Sequence, residues 1–431
     1  MDILNFISWI KGGRVVNTVD QVKTLIPLGV KDNKRDDGYI ACAISVEDLA
    51  AQIGGLQTVA VDGVTITGNG TSGNPLVAIG GGLGGTQYVF VAADGTDLQN
   101  AAELQAAYVT AQGMSPSITN RITVIAAPGS YNFNTVNFEM DTDYIDLVSL
   151  DGNKSIVFNG SNTIEITTND VFVRGVDVGT LSFTVANSLN LLRVENCSGG
   201  DYSFGWNGTA SGTFTNCTGL YGSFGGDTGT ANGVFTNCTG GNFSFGGNGI
   251  ASGVFTDCTG LDRAFGSGGT ADGTFTDCSG GDDSFGGNAG TASGGFTNCT
   301  GGDNSFGGGG GTASGTFINC IGGFGSLGGN TGTASGVFTN CTGADRAFGW
   351  NGNADGTFTN CTGRGGAFGG GGTASGVFNS CIGGSNSFGD GGTLDGFLYY
   401  CRLTSGSFET VSGAGVTRLC IDGSNVENNQ G

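Results

Sequence analysis

Apolar residues in the second half of this chain fall on a fixed grid. Twelve of the 13 cysteines stand at Cys197, Cys217, Cys238, Cys258, Cys278, Cys299, Cys320, Cys341, Cys361, Cys381, Cys401 and Cys420, with gaps of 19 to 21 residues. Such spacing marks stacked supersecondary units. Seven residues after each of the first eleven comes Phe, from Phe204 to Phe408, with Leu327 the one exception. Three residues before the cysteines runs a second apolar column, from Val194 and Phe214 to Phe378 and Leu398, and seven before Cys217 to Cys381 the residue is always Ala. Length varies only in the Gly/Asn-rich run between Phe and that Ala, where an added residue leaves the stacking undisturbed.

Within a unit, Ala210, Gly212 and Phe214 alternate with Ser211, Thr213 and Thr215, so the first set is expected to face a core and the second to face outward. Asn216 breaks the alternation and returns Cys217 to the interior, which places a corner at Thr-Asn. Asn or Asp recurs there, and stacked corner amides can bond from coil to coil while Gly supplies positive φ in the tight turns. A 20- or 21-residue coil with two bulky interior groups, one thiol and one Ala predicts an all-β fold, a parallel β-solenoid of about 12 regular coils over 197–420. The thiol column is expected to act as a row of small buried hydrophobes rather than as disulfides or a metal row. Without a C-x-x-C pair or any His, a zinc site is not expected.

Upstream, 86–196 is expected to hold irregular first coils. Asp97 is the expected cap of a helix reaching about Gln112, with Ala101, Leu104, Tyr108 and Ala111 on one face and Gly113 as its stop. Such a helix would cover the exposed edge of the first coil. Strands are expected at 88–92, in 121–133, and at Ile-Glu-Ile, Val-Phe-Val-Arg-Gly-Val and Leu-Leu-Arg-Val-Glu-Asn-Cys.

At this point the chain resembles a known family. Val-Phe-Val-Ala-Ala-Asp-Gly-Thr, the helix, and Ile-Thr-Val-Ile-Ala-Ala-Pro-Gly-Ser-Tyr look like the entry of pectate-lyase-like right-handed β-helices, and the Phe-Thr-Asn-Cys-Thr units look like their Asn corners. Residues 61–77 are similar to the short β modules of tailed-phage fibre proteins, within a linker at 55–85. Residues 1–54, with Asp-Asp-Gly-Tyr-Ile-Ala and a helix-like Ser45 to Ile53, look like a virion-attachment segment, and 421–431 is a polar tail. The resemblance implies a homotrimeric fibre or spike on a virion, joined to the particle through its N-terminal segment.

Composition narrows the chemistry. The net charge of −21 argues against a nucleic-acid partner, and only Arg263, Arg346 and Arg364 are basic between Phe204 and Cys401. The lack of His removes the commonest general base. No run reaches the roughly 18 apolar residues of a membrane span, and the opening residues lack the basic start of a secretory signal. Enzymes of the resembled family carry carboxylate clusters in a groove. Here no Glu lies between Glu195 and Glu409, and Asp282–Asp283, Asp262–Arg263 and Asp345–Arg346 read as turn charges. No catalytic, cofactor or metal residue is expected.

The candidate surface is the outward strip Ser211, Thr213, Thr215, Thr236, Thr256, Thr276, Thr297, Thr339 and Thr359, with Trp206 and Trp350 as exposed rings. It could meet a cell-surface glycan or pack against a neighbouring chain. Two other functions compete with the fibre: an ice-binding solenoid, which needs a regular Thr array, and a polysaccharide-depolymerising tailspike, which needs converging carboxylates.

Overall fold

In the computed structural model the chain is an all-β, right-handed parallel β-solenoid of about 13 coils, with one helix among the described residues. Side chains are described for residues 87–133, 138–159, 164–179, 183–186, 189–205, 208–389, 391–406 and 415–422, together with the backbone of five strands before residue 81 and one at 427–430. The helix-like stretch expected at Ser45 to Ile53 lies, beyond Ser45, outside the described residues. The chain divides into two compact units, Met1–Phe133 with Tyr144–Asp151, and Asn134–Asp143 with Gly152–Gly431.

In the first unit, strands Leu25–Lys31 and Tyr39–Ser45 pair antiparallel. Thr58–Val61, Val64–Thr67 and Leu76–Gly80 form an antiparallel meander that continues onto Gln87–Val91. From there pairing turns parallel, through Ile122–Ala126 to Ile145–Ser149. Arg121 holds the Asp146 carboxylate in a two-pronged pair of 2.7 and 2.9 Å. Helix α1 (Asp97–Gly113) packs on these strands and caps them, burying Ala101, Leu104, Tyr108 and Ala111 as expected, with Asn100 and Ala107 beside them. Its cap is Thr96 rather than Asp97: the Thr96 hydroxyl accepts from the Gln99 N–H, and the Gln99 side chain accepts from the Thr96 N–H. Gln99 three residues after a Thr was the sequence signal for this reciprocal arrangement. Asn100 is buried because its amide donates to the Ser130 carbonyl at 3.0 Å and its oxygen accepts from Gly95.

The second unit is built by repetition. Three-residue strands stack in register from Arg193–Glu195 through Thr213–Thr215 to Phe397–Tyr399, like residue upon like residue: Phe214 pairs Phe235, and Phe235 pairs Phe255. Two-residue strands from Thr209–Ala210 to Thr393–Leu394 form a second, 10-stranded parallel sheet. Single bridges such as Thr218↔Thr239↔Thr259 make a third column after the corner. The interior contains the expected Phe, Ala and Cys, fully buried in nearly every coil.

The Phe columns form two parallel stacks that meet edge to face. Phe245 lies over Phe265 at 4.7 Å and 2°, Phe255 over Phe275 at 4.8 Å and 2°, and Phe255 meets Phe265 at 5.6 Å and 87°. The ring spacing equals the strand spacing of about 4.8 Å, so backbone ladder and ring stack share one repeat. A buried Ser column, Ser223, Ser244, Ser305 and Ser326 among it, escaped the sequence reading. Each hydroxyl donates to a carbonyl three residues earlier, at 2.9, 2.7, 2.7 and 2.7 Å.

Gly supplies positive φ in the turns as expected, for instance at Gly246 (76°) and Gly266 (73°) after the inward Phe, but other residues adopt it as well. The corner Asn or Asp adopts it, as at Asn216 (54°) and Asp257 (53°), and so does the inward Phe, as at Phe245 (51°) and Phe265 (54°). The Gly column at 212, 233 and 253 serves a different need. A Cβ on Gly233 would collide with the carbonyl oxygen of Gly212, and one on Gly253 with that of Gly233. Close approach of successive coils, not backbone freedom, selects Gly there.

Candidate binding surface

Asn196 starts the corner ladder and donates to the Gly152 carbonyl at 3.1 Å. Asn216 donates to Asn196 at 3.0 Å, Asn237 to Asn216 at 2.8 Å, and further on Asn298, Asn319, Asn340 and Asn360 each donate to the preceding corner at 2.9, 3.0, 3.1 and 3.3 Å. Each exposed corner thereby locks the end of the strand before it, and that strand presents its outward residues at fixed spacing.

The predicted strip divides between two places. Thr213 and Thr215 lie on the long strand, with Thr213 exposed and Thr215 half-buried; Thr236, Thr256, Thr276, Thr297, Thr339 and Thr359 continue the half-buried column in register. Ser211 sits off the strands, at the bend between Ala210 and Thr213, and its hydroxyl is buried without a hydrogen-bond partner. The column is interrupted by Ile318 (37% exposed), and its outer neighbour carries Val234, Val254, Val337 and Val377, each 40–47% exposed. From Thr213 to Tyr399 the outward positions of the long strands carry hydroxyls, branched apolar groups and rings without charge. The strand before them carries Arg193 and Glu195, and the bend column of Ser211 carries Asp272, Asp355 and Asp395.

Trp206 lies outside the described residues. Trp350 is half-buried in the turn after Phe348, away from the Thr column, and Arg346 stacks on it with the guanidinium 3.9 Å from the ring centroid and 5.1 Å from that of Phe324.

The acidic residues of the turns act on neighbouring backbone. Asp262 accepts from the Asp282 N–H at 3.0 Å, Asp282 from the Asp303 N–H at 2.8 Å, Asp303 from the Phe324 N–H at 2.7 Å, and Asp345 from the Gly365 N–H at 3.0 Å. Asp283 meets Arg263 at 3.5 Å. Among the described residues no group of three or more Cys, Asp or Glu is placed to hold a metal ion.

Each thiol of the column from Cys197 to Cys420 is directed at backbone. Cys238, for example, lies 3.4 Å from the carbonyls of Phe214 and Thr236, and Cys258 3.4 Å from those of Phe235 and Thr256. Burial, reinforced by the Cys217 and Cys258 thiols on either side, pushes the Cys238 thiol well up.

The sequence reading missed a second outward feature, a band of rings along the turns. Tyr202 meets Tyr221 at 5.5 Å and 84°, Tyr221 meets Phe243 at 5.3 Å and 52°, and the Arg263 guanidinium lies 5.3 Å from the Phe243 centroid. Tyr202, Phe243 and Arg263 stand two residues before an inward Phe and Tyr221 three, at positions filled by other residue types in other coils, which is why no repeat pattern exposes them.

Comparison with known protein families, with curated proteins and with solved structures finds no match to this chain.

Proposed function

We propose that this chain is a structural, non-catalytic fibre or spike protein of a virion, in which the solenoid is a rigid shaft that contributes to attachment at a glycan-bearing host surface. One observation carries the reading: a long in-register ladder whose outward long-strand positions from Thr213 to Tyr399 are uncharged, in a chain of net charge −21. Copies of so acidic a chain repel one another everywhere except across a face without charge. The long-strand face is therefore the surface on which copies meet, and the homotrimer is the assembly proposed. The resemblance of residues 1–85 to fibre attachment segments and β modules supports placement on a particle. The turn carboxylates are engaged by backbone N–H groups, which supports a structural role over hydrolysis. Light scattering on the purified full chain tests this: three chain masses are expected, and a monomer at micromolar concentration sinks the reading.

Ice binding is the second reading, favoured by the unbroken Thr215–Thr297 column. An ice-recrystallisation assay separates the two. The fibre reading expects no inhibition, since the Thr column is half-buried and its neighbour alternates with Val.

A further inference from the structure

The repeat supplies an internal comparison for the turn band. Two residues before each inward Phe, the backbone adopts positive φ in every described coil: 60° at Gly222, 62° at Gly325 and 70° at Gly366, but also 60° at Tyr202, 56° at Phe243 and 58° at Arg263. Gly meets this conformation without strain, whereas a bulky side chain is strained there. The fold does not require the side chain. Gly222 makes the same coil-to-coil bond, to the Asn242 carbonyl at 2.9 Å, that Tyr202 makes to the Tyr221 carbonyl at 2.7 Å and Phe243 to the Asp262 carbonyl at 3.1 Å. Nor is full burial the compensation, because Tyr202 is 37% exposed and Phe243 is only half-buried. Strain held at an exposed position that Gly could fill points to function.

The chemistry of the band selects its ligand. Three rings run side by side along successive coils, and the cation that ends the row, Arg263, is answered by Asp283 at 3.5 Å. Acceptors border the rings: Asp201 takes the Tyr221 N–H at 3.0 Å, and Asp227 takes the Asn248 amide at 2.6 Å. Apolar ring faces beside hydroxyl acceptors, with no free positive charge, fit an uncharged chain that has a C–H face and a hydroxyl edge. That is a neutral saccharide, its pyranose C–H groups on the rings and its hydroxyls donating to carboxylates.

We propose that the turn edge from Tyr202 through Tyr221 and Phe243 to Arg263 is a binding rail for a neutral saccharide chain. The proposal rests on the attachment reading above and moves the contact from the Thr strip to the turn edge.

The test uses the full chain and a printed array of neutral glucan, galactan, mannan and N-acetylhexosamine oligosaccharides, with tyrosine fluorescence titration of the best binder. The Y202G/F243G variant removes two rings while placing Gly where the backbone favours it. A loss of at least tenfold in affinity is expected, with the unfolding midpoint unchanged or raised. Equal binding by wild type and variant refutes the rail and leaves attachment in place at another face. A lowered midpoint also refutes it, because the rings would then be structural. A wild type that binds no saccharide on the array refutes the rail and glycan attachment together, while the shaft is judged separately by the three-chain mass.

Discussion

At the scale of single residues, the fold depends on left-handed positions occupied by residues other than Gly. A left-handed L-residue costs about 1–2 kcal/mol. For Phe265 and its column, burial of a whole ring, about 1.5–3 kcal/mol, together with stacking offsets that cost. The one break in the column tests this balance. Leu327 is buried at φ 54°, and the Gly322 beside it keeps the space that Gly301 gives Phe306 and Gly343 gives Phe348. L327F is therefore expected to continue the stack and stabilise by about 1 kcal/mol, read as a raised midpoint in chemical denaturation; a lowered midpoint would show the Leu is required. The Asn corners differ, since they are exposed and gain from hydrogen bonds. Asn319 donates to Asn298 and accepts from Asn340 at φ 55°. N319A loses both bonds and the tolerated conformation and is expected to cost about 2 kcal/mol, whereas N319G keeps the conformation and is expected to cost about half as much. Equal effects from the two variants would remove φ from the account.

At the scale of elements, the cysteine column shows what the sequence makes legible. Regular spacing and alternation placed Cys217 inside, and the corner that turns it inward was visible as Thr-Asn. Invisible were the carbonyls each thiol faces, because they belong to the preceding coil as well as to its own, and a single unit does not reveal how coils are registered. The same limit hid the left-handed Phe: its apolar character marks a core position, but only the Gly after it hinted at the unusual turn. In α1 the hydrophobic face was legible from its spacing, while the cap was assigned one residue late because Thr96 and Asp97 can both cap. The column also predicts a pH response. Burial raises the Cys197 and Cys238 thiols above their ordinary value near 9. A thiol held protonated in the fold contributes stability that is complete below the unfolded value and is lost as the pH rises above it. Each such group adds a slope of about 1.4 kcal/mol per pH unit. The melting temperature is expected to be flat from pH 6 to 8 and to fall steeply beyond pH 9, with C238A shallower than wild type at equal salt. An alkaline limb unchanged by C238A would mean the thiols ionise freely in the folded chain.

At the scale of the whole molecule, the long-strand face and the turn edge differ in chemistry and, in the proposed function, in task. Within the solenoid unit, exposed apolar groups concentrate on the long strands and the bridge column after the corner: Val337 at 47%, Val377 at 40%, Ile321 at 52%, Ile382 at 38% and Phe397 at 46%. Parallel pairing sets Val377 beside Phe397, whereas Ile382 lies between Thr362 and Arg402. Thr357 separates Val337 from Val377 in register, so this face is a mixed apolar and hydroxyl surface, and apolar groups gathered on one face mark an interface where scattered ones would not. Between Thr213 and Tyr399 the long-strand positions carry no carboxylate in a chain with 36 acidic residues, which supports a second copy as the proposed occupant. Two Glu residues placed there should separate the copies without harming the fold. Residues 337 and 377 point outward from strands whose inward Phe338 and Phe378 are untouched. V337E/V377E is expected to change the stability of a single chain by no more than about 0.5 kcal/mol, and to lower the solution mass from three chains to one. Retention of three chains by this variant would place the interface elsewhere and return the Thr strip to the surface open for ligand. A drop to one chain would leave the turn edge as the outward side of the shaft, where the ring band at Tyr202, Tyr221 and Phe243 stands free of the interface.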